Sequence, residues 1–252
     1  MKLINSFFLS LLCIIAATSC NSGSNTDNAN AAATATADSA GSGSVDGFKL
    51  GVQMWTFRMF SVTDALNKVD SAGIKNIEAF FGQPLGGDMK GNFGPEMDAG
   101  TRAKLKALLQ SKGISIVAMG VISPKDKAEW VKAFDLAAEF GLSYITSEPK
   151  KDQWDMVDSL AGAYAIKVAI HDHPKPSGYW SPDSVLAAIK GHSNIGACAD
   201  IGHWPRSGLD PVECLKKLDG HVIGVHLKDI VAFDVINAAD TVVGKGIIDY
   251  PA

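Results

Sequence analysis

Histidine and carboxylate side chains follow several short apolar runs in this chain, and together they indicate metal chemistry. Glu148, His171, Asp200 and His226 each stand at or just past the end of such a run, and Glu78 holds the same place nearer the N-terminus. If the runs are neighbouring strands of one sheet, these side chains converge, and buried ionisable groups so close together are costly without a cation between them. We therefore predict a divalent-metal site with Glu148, His171, Asp200 and His226 as ligands.

The ligand types limit the range of suitable metals but do not identify one metal. Imidazole and carboxylate groups without a thiolate suit Mn, Co, Zn or Mg. A lone histidine at a strand end is more often a hydrogen-bonded structural residue than a ligand, so the prediction depends on four consecutive ends carrying such groups. His171 and His173 lie two apart on an extended strand and share a face, so one can bind the metal while the other meets a substrate hydroxyl.

The elements that must position these side chains alternate between strand and helix. Seven runs predict strands: Leu50–Trp55, Ile74–Phe80, Ile114–Gly120, Leu142–Thr146, Lys167–His171, Ile195–Asp200 and Val222–His226. Six intervening segments have helical apolar spacing: Val62–Ser71, Arg102–Ser111, Lys125–Phe140, Gln153–Tyr164, Pro182–Lys190 and Pro211–Leu218. Alternation of this kind predicts parallel strands with crossover helices, and the polar residues then lie at the carboxyl ends of the strands, where barrels of this type build their sites.

The fold class predicted from this pattern is α/β, a (β/α)8 TIM barrel. Seven strands and six helices are one strand and two helices short, so we expect a barrel truncated before its last helices and strand 8. An open doubly wound sheet is the alternative.

The N-terminal region predicts export. Residues 1–20 combine one Lys with a short apolar run and read as a lipoprotein signal peptide, whose last residues, Ala17–Cys20, make Cys20 the expected lipidation site and membrane anchor. Ordinary secretion with a free Cys20 is the alternative. Residues 21–46 lack large apolar side chains and predict a disordered tether, residues 47–252 the barrel domain. We expect an exported, periplasmic or outer-membrane lipoprotein.

Charge excludes one class of partner. The formal net charge is −4 and the chain has no long basic run, which argues against nucleic acid.

Five motifs carry a family resemblance, and they span roughly Leu50 to the C-terminus. The chain resembles the sugar phosphate isomerase/epimerase branch of the xylose isomerase-like TIM barrels, a family that includes the AP endonuclease family 2 type. The motifs are Gly51–Trp55 (GVQMW), Ile74–Glu78 (IKNIE), Cys198–His203 (CADIGH), Val225–Asp229 (VHLKD) and Gly244–Asp249 (GKGIID).

The resemblance implies that Asp200 and His226 bind the metal. Two further family ligands are usually Glu on strands 5 and 8; here His171 holds the first position, with Glu148 as a compensating neighbour, and strand 8 is absent. The second departure implies that the fragment could be inactive. The nuclease members carry extra histidines that this chain lacks, which speaks against DNA cleavage.

The family chemistry implies a metal-dependent sugar isomerase or epimerase that removes a proton next to a carbonyl and passes through an enediolate. Glu148 or His171 is the expected base. We expect five residues at the mouth to bind substrate, namely Trp55, His173, His203, Arg206 and Lys228, with surface or packing roles as the alternative. Two other functions remain open: a lyase or hydratase acting on 3-keto sugars or keto-glycosides, and a non-catalytic sugar-binding lipoprotein.

Overall fold

The computed structural model describes residues 44–45 and 48–251. The predicted signal peptide, Cys20 and the tether up to residue 43 lie outside the described residues. Within the described part, no helix is both long enough and apolar enough to cross a membrane.

Seven parallel strands form one sheet whose spatial order follows the chain. They are β1 (Gly51–Gln53), β2 (Asn76–Ala79), β3 (Ser115–Ile122), β4 (Tyr144–Ser147), β5 (Lys167–His171), β6 (Ile195–Asp200) and β7 (Val222–His226). The sheet is strongly curled. Its curvature is evident from Oε2 of Glu78 on β2 and Nε2 of His226 on β7, which lie 2.7 Å apart although four strands separate β2 from β7. The architecture is thus a curled half-barrel, which confirms the predicted truncated (β/α) barrel.

In the described part of the chain, six helices of seven or more residues connect the strands. They are α1 (Val62–Ser71), α2 (Ala99–Lys112), α3 (Lys127–Phe140), α4 (Trp154–Tyr164), α5 (Pro182–Ile189) and α6 (Pro211–Lys217). Ser or Asp side chains cap the N-termini of all of these helices except α4; the Ser181 and Asp210 side chains do so just ahead of a proline. Gly113 and Gly141 adopt the left-handed conformation that ends α2 and α3.

One apolar core joins the helices to the sheet. Trp130 and Phe134 on α3 are fully buried and belong to the same cluster as Ile145 on β4 and Ile170 on β5. The strands in the middle of the sheet are mostly buried, as is usual for parallel strands. This packing fixes the strand ends, where the polar residues lie.

The structure differs from the predicted elements at several places. A short antiparallel pair, Ser44–Val45 with Phe48–Lys49, precedes β1, and a one-turn helix, His203–Arg206, follows β6. Trp55 was predicted in a strand, but it lies in a 3-10 turn, Met54–Phe57, because the side chain of Gln53 accepts a hydrogen bond from the Trp55 amide. A small hairpin, Pro84–Gly86 with Met89–Asn92, follows β2. A second pair of short strands, Asp229–Ile230 and Asp240–Thr241, follows β7.

Candidate metal centre

Three adjacent strands deliver the central side chains of the site. His171 is the last residue of β5, Asp200 of β6 and His226 of β7. The parallel register sets Asp200 directly beside His226, and Cys198, two residues before Asp200, beside His171. All three side chains are therefore at the carboxyl edge of the sheet, and Asp200 is only 1% exposed.

One nitrogen of His171 and one nitrogen of His226 lie close to the same carboxylate oxygen of Asp200. Oδ2 of Asp200 lies 3.5 Å from Nε2 of His171 and 3.8 Å from Nδ1 of His226. Burial alone would raise the pKa of Asp200, but the neighbouring imidazoles and the Lys228 ammonium hold it well below its usual range. Asp200 is thus an ionised carboxylate ready to bind a cation.

These separations fit a divalent metal. Atoms of His171, Asp200 and His226 lie within 4.8 Å of one another. Ligand atoms about 2.1 Å from a shared ion in tetrahedral geometry stand about 3.4 Å apart, close to the distances from Oδ2 of Asp200. Three protein ligands leave further positions on the ion for substrate oxygens, which is the pattern of a catalytic site.

Glu78 orients His226. Its Oε2 lies 2.7 Å from Nε2 of His226. A carboxylate accepts at this position, so His226 carries a hydrogen on Nε2 and directs Nδ1 toward Asp200. Burial would lower the pKa of His226, but the neighbouring Cys198 and Glu78 raise it well above its usual range. Oε1 of Glu78 is buried and has no hydrogen-bond partner.

Glu148 lies on the far side of the His171 ring. Its Oε1 is 4.0 Å from Nδ1 of His171, whereas Asp200 faces Nε2 of the same ring. Oε1 is also hydrogen-bonded to Nδ1 of His173, and Oε2 accepts from the Ser177 hydroxyl at 3.2 Å. Burial would raise the pKa of Glu148, but the two histidines lower it to about 2. Three of the four predicted ligands therefore converge, and metal binding by Glu148 stays a prediction.

His203, Arg206 and Lys228 form a second layer of the site. Nζ of Lys228 lies 2.9 Å from Oδ2 of Asp200, and Nε2 of His203 lies 3.5 Å from the same oxygen. Burial lowers the pKa of His203 to about 2; the Asp200 charge opposes this and the Lys228 charge adds to it. His203 is therefore neutral, and all three residues are at the predicted mouth.

Trp55 is at the rim. Its ring is edge-on to Phe80, with centroids 5.1 Å apart, and the residue is 57% exposed. An exposed indole beside a second aromatic ring offers an apolar surface to a sugar. Its substrate role stays a prediction.

Sequence reasoning missed the partners that support these residues. The sequence pattern places Glu78 at a strand end without indicating a role, and it does not single out Asp172 or Ser177. Asp172 is buried, and its Oδ1 accepts a hydrogen bond from the Asp200 amide at 2.8 Å. Burial and the nearby Asp200 charge raise the pKa of Asp172 well above its usual range. The only available signal was the position of Asp172 between two histidines.

The family of the chain follows from comparison with known proteins. The model of the AP endonuclease 2 family, described as the xylose isomerase-like TIM barrel, matches residues 66–252. The chain therefore belongs to this family, which confirms the resemblance. No curated protein matches the chain.

Solved structures agree with this assignment. An uncharacterised protein from Parabacteroides distasonis is 38% identical, with a TM-score of 0.63 over 71% of this chain and 74% of that one. A probable 3-DHS dehydratase from Bacillus anthracis is 17% identical, with a TM-score of 0.62 over 80% and 85%. A D-tagatose 3-epimerase-like protein is 18% identical, with a TM-score of 0.60 over 79% and 82%. At such low identity the last two show the fold alone.

Proposed function

We propose that this protein is a divalent-metal-dependent sugar isomerase or epimerase that removes a proton next to a carbonyl. One observation carries the proposal: His171, Asp200 and His226 turn ligand atoms toward one point, with 3.5 and 3.8 Å to the central carboxylate oxygen. Membership of the xylose isomerase-like TIM barrel family supports the reaction class.

The residues at the strand ends would have different roles, some binding the metal and one orienting a ligand. His171, Asp200 and His226 would hold Mn, Co, Zn or Mg, with Glu78 fixing the orientation of His226. A bound divalent ion supplies Lewis acidity, which stabilises negative charge on the oxygens of an enediolate. Because His171 is 3% exposed and faces Asp200, it suits the ligand role better than that of a base.

Glu148 is the proton acceptor in this proposal. Its side chain is 21% exposed and is bonded to the ring of His173, which is 45% exposed at the mouth. The ring gives the carboxylate a partner that reaches solvent and substrate, so a proton taken from carbon has a path to the neighbouring carbon or to water. Ser177 holds the other carboxylate oxygen.

His203, Lys228 and Trp55 would bind the substrate. The ammonium of Lys228 has three N–H donors, so it can donate to a sugar oxygen as well as to Asp200, and His203 lies beside it at 3.0 Å. Trp55 would cover the apolar face of the ring. Arg206 is 7% exposed and bonds to Ala238 and Asp240, so it acts on the substrate only through His203.

Proton exchange with solvent tests the activity. The metal-loaded protein is incubated in D2O with a panel of free ketoses and aldoses, and proton NMR follows the signal of the carbon next to the carbonyl. We expect deuterium to enter that position in at least one sugar, and Glu148→Gln to abolish the exchange. A protein that holds metal but exchanges no sugar in the panel would contradict the proposal.

A lyase or hydratase acting on 3-keto sugars is the second candidate. The structural similarity to a probable 3-DHS dehydratase matches that to the epimerase-like protein, with TM-scores of 0.62 and 0.60. The same abstraction of a proton leads to elimination when the next carbon carries a leaving group. Release of the aglycone from a keto-glycoside in the presence of Mn2+ or Co2+ would favour this reaction over isomerisation.

We also propose that the protein is exported and held at a membrane by a lipid on Cys20. The support is the apolar leader and the small residues that precede Cys20. Metabolic labelling with palmitate should mark the wild type and not Cys20→Ser. Labelling of both proteins alike would exclude Cys20 as the site.

A further inference from the structure

The loop between β5 and α5, residues 172–181, reaches Glu148, the proton acceptor proposed above. Its Ser177 hydroxyl donates a hydrogen bond to Oε2 of Glu148 at 3.2 Å. Ser177 is only partly buried, and one such bond does not fix the loop, because ordering a loop costs more free energy than a single hydrogen bond contributes. The position of the Glu148 carboxylate therefore depends on what holds Ser177 in place.

A buried tyrosine anchors this loop to the segment that carries Glu148. Tyr179 is 4% exposed, and its hydroxyl donates to the carbonyl of Pro149 at 2.6 Å. Pro149 directly follows Glu148 in the chain. The same hydroxyl oxygen accepts the indole N–H of Trp154, the first residue of α4, at 2.8 Å. One oxygen atom thus joins the β5–α5 loop to the end of β4 and to the start of α4.

The hydrogen bonds of the loop direct the Ser177 hydroxyl toward Glu148. The backbone N–H of Tyr179 donates to the Ser177 oxygen at 3.1 Å, so the single hydrogen of this hydroxyl is left for the Glu148 carboxylate. A hydroxyl that accepts one hydrogen bond becomes a stronger donor in the next. Ser177 therefore holds one carboxylate oxygen in a fixed direction for as long as the loop stays in place.

A second anchor fixes the other side of the loop. The backbone N–H of Lys175 donates to the hydroxyl of Ser207 at 3.1 Å, and Ser207 is 5% exposed. Nζ of Lys175 also lies 4.1 Å from the centroid of the Trp180 ring. Ser177 consequently lies between two supports, Lys175 before it and Tyr179 after it.

Tyr179 has no free group with which to act on a substrate. Its hydroxyl hydrogen goes to Pro149, its oxygen accepts from Trp154, and its ring belongs to the apolar core. We propose that Tyr179 is a positioning residue, which holds the Ser177 hydroxyl against Glu148 and so sets the direction of the carboxylate. The inference rests on the proposed role of Glu148 as proton acceptor and adds the residue that keeps it in position.

The position of Glu148 is measurable without any activity. Metal-free protein labelled with carbon-13 at the glutamate side-chain carboxyl gives a Glu148 signal, which is assigned by its loss in Glu148→Gln. We expect one sharp signal in the wild type and a broadened or split signal in Tyr179→Phe and in Ser177→Ala. Tyr164→Phe is the matched control and should leave the signal unchanged, because the Tyr164 hydroxyl donates to Asp135 at 2.7 Å from the other end of α4.

Kinetics test the consequence for the proposed reaction. In the deuterium exchange assay, Tyr179→Phe and Ser177→Ala should each lower kcat by about 10-fold, because a small displacement of a reacting group slows a reaction strongly. KM and Zn2+ affinity should not change. Ser177→Thr keeps the hydroxyl and should retain most of the wild-type rate. The double variant Tyr179→Phe/Ser177→Ala should be no slower than the slower single variant, since both substitutions remove the same contact.

The outcomes separate the inference from the proposed function. A Glu148 signal that stays single and sharp in both variants would overturn the inference, whatever the activity. A rise in KM at constant kcat, or losses that multiply in the double variant, would overturn it as well. A wild type that exchanges no sugar would contradict the proposed function, and the carbon-13 signal would still decide whether Tyr179 positions Glu148. If Tyr179→Phe did not fold, Trp154→Phe would take its place, since it removes the other partner of the same hydroxyl.

Discussion

Two buried aspartates near neighbouring strand ends have different surroundings. Asp200, at the end of β6, is 1% exposed, and Asp229, shortly after β7, is 0% exposed. Oδ2 of Asp200 faces imidazoles and the Lys228 ammonium. Both oxygens of Asp229 instead accept backbone N–H groups, those of Ile230, Gly244, Gly246 and Ile248, at 2.8 to 3.2 Å.

The comparison shows that burial of a carboxylate does not identify a site. Burial raises the pKa of each aspartate, but its partners lower the pKa by more than burial raises it. Both carboxylates are therefore ionised. Both oxygens of Asp229 are occupied by backbone N–H donors, so this carboxylate is not available to a ligand. Its hydrogen bonds hold the segment around Gly244 to Ile248 in place. The partners of Asp200 are themselves metal ligands or charged side chains, so this carboxylate can exchange one cation for another.

The largest effect is expected at Asp200. Asp200→Asn should weaken Mn2+ binding by more than about 100-fold, because loss of an outer partner alone costs about 10- to 100-fold. Isothermal titration measures the affinity, and circular dichroism should report an unchanged fold. Asp219→Asn, at an exposed position, is the control. Retained metal binding in Asp200→Asn would refute the assignment.

Asp229 should show the opposite behaviour. Asp229→Asn replaces an acceptor by an amide NH2 facing backbone donors, and we expect a loss of about 2 to 3 kcal/mol in the free energy of unfolding at pH 7. Metal affinity of the folded protein should not change. Urea denaturation measures the loss; equal stability of variant and wild type would show that the four contacts contribute nothing.

The pH dependence sharpens the same contrast. The pKa of Asp229 is lowered in the folded protein, so its contribution is present above the unfolded pKa of about 3.9 and is lost as pH falls through the folded pKa. The stability difference between wild type and Asp229→Asn should therefore shrink below about pH 4. Urea denaturation at pH 7, 5 and 3 tests this; a difference that grows toward acid would reverse the sign and contradict it.

How much of this was predictable varies along the chain. The ranges of β5, β6 and β7 match the predicted strands, because each is an apolar run that ends at a polar residue. Parallel neighbours with known ends place His171, Asp200 and His226 together without further information. The prediction that Trp55 lies in a strand was wrong, because its amide donates a hydrogen bond to the Gln53 side chain and the residue lies in a 3-10 turn. Hydrophobic periodicity does not reveal such a contact.

The contacts that refine the site depend on the curl of the sheet. Glu78 and His226 are 148 residues apart, and only the curvature brings their strands face to face. The stem of Lys228 over Gly202 likewise depends on two loops at neighbouring strand ends. Local sequence pattern encodes strand ends well, but it does not encode which loop side chains meet above them.

Glu78 provides the smallest expected effect. It contacts a metal ligand, His226, but is not itself one of the three converging ligands, so its role lies between those of Asp200 and Asp229. One oxygen binds His226 and the other has no hydrogen-bond partner. Glu78→Leu removes the acceptor that fixes the tautomer of His226, so Mn2+ affinity should fall by about 10-fold. Glu78→Gln keeps an acceptor and should lose less.

Two further measurements separate orientation from a general disturbance of the fold. Nitrogen-15 NMR of the metal-loaded proteins should find His226 as Nε2–H in the wild type and as a mixture of tautomers in Glu78→Leu. The matched control is Glu96→Leu, since the Glu96 side chain is 86% exposed. If Glu78→Leu kept both its affinity and a single tautomer, the register of β7 alone would orient His226, and Glu78 would belong with Asp229 as a structural carboxylate.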